Sequence, residues 1–85
     1  MILHTINKPG VLASCFDLIS EKDVVVLLED GIYLSNQTIP GKAYAIEADL
    51  RARGIKIRAS SRIEMIDYCR FVELTIEARK TCSWF

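Results

Sequence analysis

The stretch VVVLLEDGIY, residues 24–33, sets five aliphatic side chains in a row against two carboxylates and a glycine. An aliphatic run with no polar alternation is what a strand covered on both faces looks like, so residues 24–28 read as the central strand of a sheet. Chain leaving such a strand must find turn chemistry, and Asp30-Gly31 supplies it. The abrupt change from apolar to acidic therefore marks the point where the chain leaves the core.

Working outward, short apolar runs alternate with amphipathic segments. Residues 2–6 read as a first strand, ended by NKPG, because proline removes a backbone donor and glycine permits a turn. A helix is expected from about residue 9 or 11 to 20. Val11, Leu12, Cys15, Phe16 and Ile19 recur there at three- and four-residue spacing and predict one core-facing side.

Beyond the central strand, a short helix or turn is predicted over residues 31–37 and a third strand over 42–46. Glu47 and Asp49 then open a short helix whose end carries Arg51 and Arg53, with Gly54 stopping it. That is the charge order the helix dipole and a left-handed cap favour. Residues 55–62 alternate apolar and basic, 63–66 read as a fourth strand, and Asp67 is placed to cap a last helix from 68 to about 79. Strands separated by helical segments imply a mostly parallel sheet of about four to five strands with right-handed crossovers, an α/β layered fold in one domain over residues 1–85.

Composition narrows the function. Half of the 85 residues are hydrophobic and a quarter charged, the balance of a folding chain. Eleven basic residues against eleven acidic ones leave no global field to draw in a nucleic acid or an anionic membrane. The apolar runs fall short of the roughly 20 residues of a membrane helix, and the start lacks the pattern of a signal peptide, so a cytoplasmic protein is expected.

Each candidate for chemistry has a plainer reading beside it. Glu29 and Asp30 are adjacent at a strand end and point apart, so they cannot act as a cooperating pair on one bond. They lie nonetheless beyond the C-terminal end of a central strand, where open α/β sheets meet ligands and partners. Cys15 is either a small buried hydrophobe or, near a helix N-terminus, a thiol whose pKa the dipole lowers. Cys69 carries a weaker form of the same alternative, and Cys82 falls in the tail.

His4 has no nucleophile at a telling spacing, so a packed or hydrogen-bonded ring is expected. Three scattered cysteines and one histidine argue against structural zinc, and no phosphate-cradling glycine loop is present, so no metal or cofactor is expected. Lys56, Arg58 and Arg62 are either a solvated edge or a local contact for RNA phosphate. On the last helix Tyr68, Cys69, Phe71, Val72, Leu74, Ile76 and Ala78 cover more than half the circumference, an arc wide enough to face a second surface such as another subunit.

Taken together, LHTINK at the start, LLEDGIY, the ARG of residues 52–54, and IDYCRFVELT followed by Trp84 resemble the TusB/DsrH family of sulfur-relay proteins. The resemblance implies a DsrE-like, three-layer α/β fold and a place as the smallest subunit of an assembly with TusC- and TusD-like partners, a dimer of heterotrimers. Such assemblies pass persulfide sulfur between cysteines. In the Tus branch sulfur arrives through TusA, leaves through TusE and ends in 2-thiouridine at the tRNA wobble position; the Dsr branch serves sulfur oxidation.

In that family the main carrier is a cysteine of the TusD/DsrE-type partner, which makes this chain an accessory subunit. Cys15 resembles a cysteine that some DsrH-type members hold, so a persulfide role for it stays open. Glu29, Asp30, Tyr68, Phe71 and Trp84 are the residues expected at the partner interface. A stand-alone, self-associating thiol carrier or binding domain is the alternative.

Overall fold

In the computed structural model, which describes residues 1–84, all five strands are parallel and lie in the order β4-β3-β2-β1-β5. They are β1 (Ile2–Ile6), β2 (Val24–Leu27), β3 (Lys42–Ile46), β4 (Glu64–Ile66) and β5 (Lys80–Trp84). The aliphatic run is the middle strand, paired to β1 on one side and β3 on the other. Val25, Val26 and Leu27 are wholly buried, as a strand covered on both faces requires.

The winding follows from handedness. Steps from β1 to β4 all move one way across the sheet, so right-handed crossovers put their connections on a single face. The return from β4 to β5 runs the other way, and its helix, α3 (Tyr68–Glu77), lies on the opposite face. Two cores result. Ile6, Val25, Leu27, Ala43 and Ala45 pack under the first set of connections, while Leu3, Val26, Ile46 and Ile66 pack under α3 through Leu74.

Two helices end where their chemistry says. Arg70 donates its backbone N–H to Asp67 Oδ1 at 2.8 Å, which caps α3. The helix α2 (Glu47–Ala52) stops before Gly54 at φ 64°, a left-handed conformation that glycine adopts without a Cβ clash.

Two expectations need correction. The single helix expected to reach residue 20 is three short pieces: a 3-10 turn Pro9–Val11, one α-turn Leu12–Cys15, here called α1, and a 3-10 turn Phe16–Leu18. The tighter winding advances the wheel by about 120° per residue instead of 100°. Leu12, Cys15 and Ile19 stay buried, but Phe16 turns outward and is 40% exposed. Similarly, Cys82 does not sit in a loose tail, because residues 80–84 pair with β1 along its whole length.

One face of the sheet is covered by α1, the Glu29–Leu34 3-10 helix and α2, and the other by α3 alone.

Candidate functional site

At the C-terminal ends of β2, β3 and β4 the structure gathers a polar rim. Chain leaving β2 at Leu28 reverses through Glu29, which holds φ at 51°, a left-handed backbone that is uncommon outside glycine. Its N–H donates to Asp49 Oδ2 at 2.8 Å, which fixes the turn against the start of α2. Gly31 follows because nothing larger fits: a Cβ there would lie 1.9 Å from the Ile6 carbonyl oxygen. The acid-glycine turn of LLEDGIY is thus moulded onto the end of β1.

Charge then ties the rim together. Arg53 Nε donates to Asp30 Oδ1 at 2.8 Å, and its Nη1 lies 3.9 Å from Asp49 Oδ1. Tyr68, the first residue of α3, donates its hydroxyl to Asp49 Oδ2 at 3.4 Å. The bond to Asp30 raises the pKa of the Arg53 guanidinium. Burial, followed by the charge of Asp49, pushes the Tyr68 phenol up, so it remains a neutral donor at neutral pH.

Asp30 and Asp49 therefore serve structure, both held by Arg53, with Asp49 also accepting the Glu29 N–H. The rim presents a fixed shape and a pattern of charge, the properties of a docking surface. Glu29, Asp30 and Tyr68, three of the residues expected at a partner interface, come together in it, joined by Asp49 and Arg53, which sequence reasoning missed. Their signal, EADLRAR, was absorbed by its fit to helix-dipole chemistry.

Phe71 lies one turn further along α3, half-buried against the second core. Around it the wide apolar arc is largely uncovered. Leu74 is the helix's one buried residue, while Tyr68 (49% exposed), Val72 (54%) and Ile76 (78%) face outward.

Trp84 ends β5, at the far edge of the same end of the sheet, and its side chain packs against the first core. Its indole N–H donates to His4 Nδ1 at 3.1 Å, and His4 Nε2 bonds Asp23 Oδ2 at 3.0 Å. Both histidine nitrogens are occupied and the ring is buried, so the His–Asp pair has no free site from which to move a proton to a substrate. Asp23 also accepts the N–H groups of Ile2 and Ser20.

Cys15 is wholly buried in the first core. Burial raises its thiol pKa, the backbone bond at its own amide lowers it less, and nearby Cys82 adds to the rise, so the neutral thiol prevails near neutral pH. Cys69 is exposed and Cys82 half-buried. Lys56, Arg58 and Arg62 are exposed and lie away from the rim, on the segment that leads into β4. Among the described residues no helix is long and apolar enough to cross a membrane.

Comparison with known proteins agrees with this architecture. A family described as DsrH like protein matches residues 8–81. Protein TusB of Escherichia coli O81 (strain ED1a) is 37% identical over an alignment 95 positions long, gaps included, which spans 98% of this chain and all of that protein. Protein TusB of Escherichia coli (strain K12 / DH10B) is 36% identical with the same coverage. The solution structure of protein Tm0979 from Thermotoga maritima superposes with a TM-score of 0.71 at 26% identity, over 91% of this chain and 93% of that one.

Proposed function

The chain belongs to the TusB/DsrH family, and from that premise we propose that it is a non-catalytic subunit of a sulfur-relay complex of the TusBCD type, bound to TusC- and TusD-like partners. In this reading it supports 2-thiouridine formation at the tRNA wobble position. The observation that carries it is the uncovered apolar strip of Tyr68, Val72 and Ile76 along α3, continuous at Tyr68 with the charge-paired rim of Asp30, Asp49 and Arg53. An apolar centre edged by fixed charges is the make-up of a protein–protein interface.

Cys15 supports the same division of labour. A thiol without solvent access and with a raised pKa is a poor nucleophile toward a sulfur donor, so sulfur carriage falls to a partner's cysteine. Trp84 contributes by holding β5 in the sheet, and Glu29 and Phe71 stand beside the strip as contact residues.

The experiment is co-purification of the tagged chain from its native host, with sizing and mass spectrometry. Recovery of TusC- and TusD-like subunits in a stable hexamer is the expected result. Recovery of DsrE- and DsrF-like subunits instead would move the chain to the sulfur-oxidation branch, and a solitary chain would overturn the assembly reading.

A further inference from the structure

At the opposite end of the sheet from the rim, where β3 and β4 begin, an open groove of about 1440 Å³ lies between residues 36–42 and 58–64. Side chains hold its walls in place. Asn36 Nδ2 donates to the Lys56 carbonyl at 3.1 Å, Asn36 Oδ1 accepts the Arg58 backbone N–H at 2.8 Å, and Ser61 Oγ donates to the Ser35 carbonyl at 2.8 Å.

Arg58 and Arg62 line this groove, and among the described residues neither guanidinium has an ion-pair partner, whereas Arg51, Arg53 and Arg70 each do. Of the two acids on the lining, Glu64 is taken by Lys42 at 2.6 Å, which leaves Glu21 as the one uncompensated negative group against two cations. Phe16, the ring that the 3-10 turn rotates out of the core, lines the same groove. The volume exceeds the roughly 300–1,000 Å³ of a small-molecule pocket, so a segment of a polymer fits it better than a metabolite does.

Unpaired guanidiniums beside an exposed aromatic ring are the elements that bind a single nucleic-acid strand, with phosphates on the cations and a base stacked on the ring. We propose that this groove binds a single-stranded nucleic-acid segment, with phosphates on Arg58 and Arg62 and a base against Phe16. A chain without net charge has no long-range field to assist, so binding is weak, in the micromolar range, and rests on these local contacts. The inference does not depend on the assembly reading, because none of the three residues belongs to the rim or to the apolar strip.

The test is fluorescence anisotropy of a labelled single-stranded RNA 12-mer with the full chain, in whatever assembly it purifies. Two phosphate contacts predict that affinity falls about sevenfold between 50 and 200 mM salt. An Arg58→Gln/Arg62→Gln variant loses at least about tenfold and most of the salt dependence, Phe16→Ala loses about tenfold, and a Lys22→Gln/Lys80→Gln control of equal charge change binds as the parent does. No binding, an equal loss in the control, or an acidic phosphopeptide that competes as well as unlabelled RNA would each overturn the proposal. Circular dichroism of each variant separates lost contacts from lost fold.

Discussion

Trp84 Nε1 meets His4 Nδ1 at 3.1 Å, joining the last strand to the first across eighty positions of chain. The two rings lie nearly parallel, 18° apart with centroids at 6.3 Å. Because the indole N–H can only donate, Nδ1 must accept, and the proton of the neutral ring sits on Nε2, facing Asp23. Replacement by phenylalanine keeps an aromatic ring in the core but removes the donor. Trp84→Phe should cost about 1–2 kcal/mol in urea unfolding followed by circular dichroism, with hydrogen exchange accelerated first in β5. An unchanged midpoint would show that the bond contributes nothing.

Acid sensitivity should centre on Asp23. Burial alone would push its carboxyl up, but the His4 ring and the backbone N–H groups of Ser20 and Ile2 outweigh it and hold the pKa below the ordinary carboxylate value. A folded-state pKa below the unfolded one gives stability that is fully present above the unfolded value, near 4, and lost as pH falls through the folded value. Stability of the parent should therefore fall below about pH 4. Asp23→Asn should be weaker at pH 7 by about 2 kcal/mol, with a flatter acid limb. Parallel acid limbs for parent and variant would assign the sensitivity elsewhere.

Gly31 tests whether the turn is moulded onto β1. With the Ile6 carbonyl oxygen 1.9 Å from any added Cβ, the obstacle is backbone and cannot rotate away. Gly31→Ala should destabilise by about 3 kcal/mol or prevent folding. Gly10→Ala is the matched control: its Cβ would meet nothing within 4 Å, so the change should stay within about 0.5 kcal/mol.

Much of this was legible from local chemistry. β1 and β3 run as the apolar stretches indicate, and Asp67 and Gly54 act as the caps their types suggest. What escaped depends on distant partners. KTCSW has no apolar alternation of its own and becomes a strand through its pairing with β1. Helical spacing presumes α-winding and so points Phe16 inward, whereas residues 9–18 are mostly 3-10 and turn it out. At the rim, Glu29 and Asp30 were marked by their place after the central strand, whereas Asp49 and Arg53 reach them only through the fold, 20 and 23 positions away.

The three thiols should react in the order of their exposure. Under native conditions iodoacetamide should modify Cys69 readily, half-buried Cys82 slowly, and wholly buried Cys15 only after denaturant is added. Peptide mass spectrometry over a time course resolves the order. Early modification of Cys15 in the folded chain would show that the α1 segment opens, and would return Cys15 to the set of possible sulfur carriers.

The apolar strip on α3 separates folding from assembly. Ile76 is 78% exposed and Val72 54%, so neither contributes much to the core, and charged residues there remain compatible with the helix. Val72→Glu and Ile76→Glu should each change unfolding free energy by about 0.5 kcal/mol or less. In a complex the same carboxylates would be buried against apolar partner surface without a counter-charge, which is costly. The double variant should therefore fold normally yet lose its partner subunits in sizing and co-purification. Retention of partners at parental stoichiometry would show that they bind elsewhere, leaving the rim of Asp30, Asp49 and Arg53 as the next surface to reverse in charge.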